Sequence, residues 1–381
     1  MQFQFSIPGS VAFGQGCAMS VGHMVLSLEA NKVFCIYDEG VKKAGIAADI
    51  VASLKSAGLE VVEWDGVVAN PTDVVVEEGA RLARKAQAEV VVAVGGGSVM
   101  DTGKAICILL TNESPINLYE GMNMVKTPSA PLIAIPTTAG TASEITAFSV
   151  VTDTVKLKKM VIGGQFVGAR YALADPLLTM GMPPKLTAAT GMDALTHAIE
   201  AYVSKAASIP TDVNALKAIE LIFHNLPKVV KDGNDLEART NMLLGSMLAG
   251  FAFNSAVLGL AHSIAHPLSV HCGLPHGVAN AALLAHVMEY NAVTVPEKFR
   301  EIGVAMGLDV KGLSTLEAVQ VTADAVKTLF RQLGMPTLEE TGVSRELFDR
   351  IAVEAMAEIS TIFNPRDPSK EEILEILEKA F

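Results

Sequence analysis

Between residues 240 and 288 the chain carries no Asp, Glu, Lys or Arg, an interval of 49 residues. A stretch of that length without charge is not an ordinary solvated surface; it belongs in a membrane or in the interior of a large helical layer. Five of the eight histidines fall inside it: His262, His266, His271, His276 and His286. Polar rings buried without partners are costly, so imidazoles gathered in an apolar setting call for a ligand.

Residues 242–261 have the length and neutrality of a membrane span. Ser246, Asn254, Ser255 and the glycines at 245, 250 and 259 interrupt them, and no Lys/Arg-rich flank sets an orientation. The expectation is a buried helix and no membrane. Charged residues are 18% of the chain, against ~25% in an average soluble domain. The hydrophobic share is 50%, which rules out disorder and fits a large core. A length of 381 residues suggests two or three domains. The net charge of −12 argues against nucleic acid as a partner. Cys17, Cys35, Cys107 and Cys272 form no CxxC pair, and the N-terminus lacks the basic and apolar regions of a signal peptide. Together these point to the cytoplasm.

The first half alternates apolar runs with helical patterns. Strands are expected at 32–37 (KVFCIY), 59–64, 89–94 (EVVVAV) and 131–135, and helices at 41–57, 72–88 and 98–110. This βαβ rhythm implies a parallel sheet covered on both faces. After about residue 180 the strand signals stop and helical patterns continue to the end, with Pro183-Pro184 marking the change. The expected domains are therefore 1–180, α/β, and 181–381, all-α.

The strand at 89–94 runs into Gly95-Gly96-Gly97-Ser98 and then a helix. Glycines let a backbone approach a ligand, and a helix N-terminus suits a phosphate. GxGxxG would require Gly at 100, where Met100 stands, and the usual acidic residue ~20 positions later is missing. Asp38, ending an earlier strand, is the better candidate for a ribose hydroxyl. A second loop after a strand, PTTAGTASE at 136–144, could grip another part of the same ligand, or simply cap a helix through Thr141 or Ser143.

Asp193 and His197 stand at i and i+4 on a helical pattern, and His262 and His266 repeat that spacing. One carboxylate with three imidazoles suffices for a divalent metal. Spacing alone leaves His262, His266, His271 and His276 in competition. His224 and His286 read as hydrogen-bonded core residues, and His23 as an ordinary surface or helix residue.

With these motifs in place, the chain resembles the iron-containing, or group III metal-dependent, alcohol dehydrogenases almost end to end. The resemblance rests on GGGSVMDTGK (95–104), PTTAGTASE (136–144), Asp175-Pro176 and GMPP (181–184). It continues through ATGMDALTHAIE (189–200), GLAHSIAHPL (259–268), LPHGVA (274–279) and Asn364-Pro365-Arg366. It implies a Rossmann-like α/β domain with a helical domain, the architecture shared with dehydroquinate synthase. It implies Asp193, His197, His262 and His276 as metal ligands and His266 as a proton-relay or supporting residue. Gly96, Gly97 and Ser98 would hold a pyrophosphate. Thr137, Thr138, Thr146, Lys159, Asn70 and Leu178 would line the cofactor site. Asp38 would favour NAD over NADP by repelling a 2′-phosphate. Phe148, Phe253 and Ile362 would border the substrate.

The implied reaction is reversible hydride transfer between a small primary alcohol and NAD, with a divalent metal as Lewis acid: Fe(II) first, Zn second. Apolar Phe148 leans the substrate toward short unsubstituted alcohols and aldehydes; the alternative is a diol, 1,3-propanediol or the 1,2-propanediol/lactaldehyde pair. A homodimer or larger homo-oligomer is implied, pairing through a β segment at residues 3–7. A cyclase of the dehydroquinate synthase type would need a basic cluster for its substrate, and the charge-free window offers none. A catalytically silent metal- or NAD-binding protein is disfavoured because every expected ligand type is present.

Overall fold

The computed structural model describes residues 3–381. They divide into two compact units, Ile7–Met182 and Pro183–Phe381, the second taking in the described residues before Ile7. The division falls two residues beyond 180. The segment before Ile7 counts with the helices, and there the Asn254 side-chain amide donates to the Ser6 carbonyl (2.8 Å) and the Ser6 N–H donates to Ser255 Oγ (3.4 Å).

The α/β unit has strands β1 (Ser10–Phe13), β2 (Lys32–Asp38), β3 (Glu60–Val67), β4 (Val90–Gly95), β5 (Gly121–Met122), β6 (Leu132–Pro136), β7 (Phe148–Asp153), β8 (Lys158–Gly163) and β9 (Tyr171–Ala174). Its helices are α1 (Val21–Ser27), α2 (Glu39–Lys43), α3 (Ile46–Ser56), α4 (Asp73–Lys85) and α5 (Gly97–Thr111). Six strands form one sheet in the order β1-β9-β6-β4-β2-β3, every pairing parallel.

The period of two decides which face each side chain covers. Val33, Cys35, Val90, Val92, Ile133 and Ile135 pack on one face with Val25, Ile50 and Leu54 of α1 and α3. Phe34, Ile36, Val91, Ala93, Leu132 and Ala134 pack on the other with Val76, Ala80, Ile106 and Leu109 of α4 and α5. Burial on both faces is why these strands read as continuous apolar runs.

Three expectations need correction. The helix expected over 41–57 is two, α2 and α3, broken at Gly45 with φ 79°. That left-handed backbone suits a residue without Cβ. A second sheet, β5-β8-β7, stands where no strand was expected. Its antiparallel β7–β8 hairpin turns through Thr154, Val155, Lys156 and Leu157, the last at φ 51°, without a glycine to announce it. Edge strand β1 and its neighbour β9, four residues each, are also too short to signal themselves.

The helical unit comprises α6 (Pro184–Val203), α7 (Ile209–Lys231), α8 (Leu236–Ala256), α9 (Leu260–Cys272), α10 (His276–Ala292), α11 (Pro296–Ala305), α12 (Thr315–Gln332), α13 (Phe348–Ala357), α14 (Ile359–Phe363) and α15 (Lys370–Ala380). The charge-free window supplies most of α8, all of α9 and most of α10. Among the described residues no single helix is long and apolar enough to cross a membrane; α8 and α9 meet at 101°. Leu260 through Ser269 are buried without exception. Residues 3–7, the expected β segment, form no strand within the chain.

Candidate metal centre and cofactor loops

Helix α6 carries Asp193, His197 and Glu200 at i, i+4 and i+7, hence on one face, and all three are buried. His262 sits in the first turn of α9, and His276 opens α10. One ligand atom each from Asp193, His262 and His276 fall within 4.8 Å of one another. Asp193 Oδ1 stands 3.7 Å from His262 Nε2 and 3.8 Å from His276 Nε2. These gaps are too long for hydrogen bonds. They approach the ~3.4 Å edge of a tetrahedron with ~2.1 Å metal bonds.

The donor set fits a divalent cation. His262 Nε2 is buried and has no hydrogen-bond partner among the described residues. Burial, reinforced by the neighbouring His197, holds the His262 pKa well below 6.5, so the ring is neutral and its lone pair free. Burial alone would raise Asp193, but His197, His276, His262 and the Asn280 amide hold it below the ordinary carboxylate value. Asn280 Nδ2 donates to Asp193 Oδ1 at 2.7 Å and fixes its rotamer.

The fourth expected ligand stands beside this trio. The His197 ring is sandwiched between those of His262 and Phe253, both with centroids at 4.5 Å. The His266 ring stacks on His276 (5.4 Å), while its Nδ1 lies 3.2 Å from Glu358 Oε2. His271 Nε2 lies 2.7 Å from Glu354 Oε2, and His286 Nδ1 lies 3.7 Å from Glu289 Oε2. His224 stands edge-on to Phe223, and His23 is exposed on α1. Of the expected substrate residues in this unit, Phe253 is buried against His197, whereas Ile362 on α14 is 66% exposed.

Glu200 closes the ATGMDALTHAIE motif, and sequence reasoning assigns it no role. Its Oε1 accepts from the Ala261 N–H (2.6 Å), and its Oε2 accepts from the Gly259 N–H (2.9 Å) and lies 2.6 Å from His262 Nδ1. Burial raises its pKa to about 7, against the pull of these donors. Its i+7 spacing from Asp193 is the signal that could have found it.

In the α/β unit, β3 lies on one side of β2 and β4 on the other, so the strand order reverses between β2 and β4. The carboxyl ends of strands at such a reversal form the usual ligand crevice of open parallel sheets. Asp38 ends β2, Gly95 ends β4 and Gly96-Gly97-Ser98 follow it, and Thr137-Thr138 follow β6, on three adjacent strands. Asp38 also caps α2, accepting from the Val41 N–H at 2.8 Å. A Cβ on Gly97 would stand 2.8 Å from Thr141 Oγ1, and one on Gly96 would stand 3.2 Å from Thr138 Oγ1. The glycines thus let the two loops close on each other. Thr141 Oγ1 accepts from the Ser143 N–H, but the element that follows is a single 3₁₀ turn, Ser143–Ile145, whose N-cap is Ala142 and which has no side-chain cap, so neither Thr141 nor Ser143 caps a helix here.

Lys159 Nζ donates to Asn70 Oδ1 (2.7 Å), and burial lowers the Lys159 pKa to about 8. Leu178 is half-buried in the 3₁₀ turn after β9, and Phe148 is half-buried at the start of β7. Thr146 is 2% exposed, its hydroxyl 3.4 Å from Lys104 Nζ, so it faces an internal network. No sequence signal announces that network. The fully buried Lys104 donates to Ser143 Oγ (2.8 Å) and to the Phe148 carbonyl, and Ser143 Oγ donates to Asp101 Oδ1 (2.6 Å).

Comparison with known proteins decides the family. Residues 8–176 match the family described as iron-containing alcohol dehydrogenase, and residues 187–381 match the C-terminal part of the Fe-containing alcohol dehydrogenase family. The chain belongs to the iron-containing alcohol dehydrogenases. Across its whole length it is 42% identical to the 1,3-propanediol dehydrogenase of Citrobacter freundii, covering 99% of that protein. It is 37% identical to the NAD-dependent methanol dehydrogenase of Bacillus methanolicus, covering 99% of each. The crystal structure of a 1,3-propanediol oxidoreductase superposes with a TM-score of 0.98 at 41% identity over the whole of both chains. This iron-containing alcohol dehydrogenase is therefore an oxidoreductase that depends on a metal and on NAD(H).

Proposed function

We propose that the chain interconverts short primary alcohols and their aldehydes, with Fe(II) held by Asp193, His262 and His276 and with His197 adjoining as fourth ligand. The observation that carries this is the trio of buried Asp193, buried His262 and half-buried His276, in which a neutral imidazole, His262, presents a bare Nε2 to a carboxylate. When bound, the metal supplies Lewis acidity toward the substrate oxygen and NAD accepts the hydride.

The chain's own residues do the rest. Asp193 supplies the negative charge of the centre, and Asn280 keeps its carboxylate turned toward the imidazoles. With Nδ1–H directed at Glu358, His266 keeps a lone pair on Nε2 and receives the alcohol proton there. Gly96, Gly97 and Ser98 receive the pyrophosphate at the start of α5, where free N–H groups and the helix dipole favour an anion. Thr137, Thr138, Asn70, Lys159 and Leu178 border the cofactor, with Thr146 supporting from the internal network.

Four free cysteines support a reducing, cytoplasmic setting. Exposed Phe3 and Ile7 support pairing of two copies through residues 3–7 beside edge strand β1.

Apolar Phe148 supports an unsubstituted substrate, whereas the likeness to 1,3-propanediol dehydrogenase supports a diol. NADH formation with 1-propanol, ethanol, 1,3-propanediol and 1,2-propanediol separates them. Comparable or higher kcat/KM for 1-propanol is expected, and a strong preference for either diol overturns the unsubstituted reading.

A further inference from the structure

Glu200 is 2% exposed, yet among the described residues no Lys or Arg pairs with it. Its acceptors are engaged instead by the first turn of α9. The N–H groups of Gly259 and Ala261 have no acceptor inside α9, as is general at a helix start. Both point at the Glu200 carboxyl, at 2.9 and 2.6 Å. Backbone N–H groups cannot exchange donor for acceptor; burial raises the pKa of this carboxyl, and the Gly259 and Ala261 N–H groups at the positive end of the helix oppose that rise by stabilising the ionised form. A carboxylate is an acceptor only.

The remaining contact, Oε2 to His262 Nδ1 at 2.6 Å, therefore needs its proton on Nδ1. A neutral imidazole has one N–H, so Nε2 holds the lone pair. That atom is the one facing Asp193 Oδ1 at 3.7 Å. Gly259 is part of the device: a Cβ there would stand 3.1 Å from Glu200 Oε1 and 3.0 Å from Asn364 Oδ1.

We propose that Glu200 is the positioning residue that sets the tautomer of His262, fixing the proton on Nδ1 and turning the Nε2 lone pair toward the metal. This rests on the reading of His262 as a ligand. A carboxylate that merely capped α9 would leave the tautomer and metal affinity indifferent to its charge.

Glu200→Gln distinguishes the two. The amide oxygen can serve Ala261, but the amide NH2 then faces the Gly259 N–H and His262 Nδ1. His262 must now accept at Nδ1 and carry its proton on Nε2. The test uses full-length, chelator-stripped protein labelled with 15N-histidine, followed by titration with cobalt(II). The wild type should show the Nδ1–H tautomer at His262. Glu200→Gln should show the Nε2–H tautomer and bind cobalt(II) ~10–100-fold more weakly, with unchanged helical circular dichroism. A wild-type Nε2–H tautomer overturns the proposal, and this holds even if the variant does not fold. So does a folded Glu200→Gln with wild-type tautomer and cobalt affinity. A wild type with the Nδ1–H tautomer that takes up no cobalt upholds the tautomer assignment and overturns the ligand reading instead.

Discussion

Asp38 holds two positions at once. One carboxylate oxygen caps α2 through the Val41 N–H, and the residue ends β2 beside the strand-order reversal. Asp38→Gly removes the negative charge while costing the cap only a few tenths of a kcal/mol, since Gly is tolerated there. The NADP-to-NAD ratio of kcat/KM should rise on the order of tenfold, because a carboxylate no longer opposes a 2′-phosphate. An unchanged ratio in steady-state assays would show that Asp38 does not read the ribose. Such residues are legible in sequence when a regular element sets their spacing, as α6 does for Asp193 and His197. The competition among His262, His266, His271 and His276 was not legible. Their surroundings come from elsewhere in the chain: Glu200 on α6 faces His262, Glu354 on α13 faces His271, and Glu358 just before α14 faces His266.

The elements that sequence reveals are those whose burial imposes a pattern. Strands β2 and β4 are covered on both faces and read as apolar runs; β7 and β8 alternate and turn without glycine, so they do not. Between the glycine loop and β7 lies a link that no spacing suggested, the buried network of Lys104, Ser143, Asp101 and Thr146. Glu144 is buried in the same 3₁₀ turn, and burial raises its pKa from 4.5 to about 7. The folded chain thus holds this proton more tightly than the unfolded chain, so folding loses stability as pH rises from about 4.5 to about 7. Glu144→Gln removes that penalty. In urea unfolding the variant should gain on the order of 1–3 kcal/mol relative to wild type at pH 8 compared with pH 5. The same difference at both pH values would mean that Glu144 is not a buried acid.

At the scale of the whole molecule, the charge-free window is explained by the centre that it carries. An unpaired Lys or Glu buried there would cost several kcal/mol and compete with the ligands. Helices α9 and α10 instead present imidazoles to the carboxylate on α6. The division into an α/β and a helical unit was legible because burial leaves a period of two in one half and helical periods in the other. The affiliation of the first residues was not, because it involves contacts of Ser6 with Asn254 and Ser255, far away in the sequence. The central claim is that this centre makes the dehydrogenase metal-dependent. The most direct measurement is NADH oxidation with propanal by chelator-stripped protein of verified metal content, before and after anaerobic return of Fe(II). Loss of turnover on stripping and recovery at one metal per chain is the predicted result; full turnover in the verified metal-free protein would contradict it.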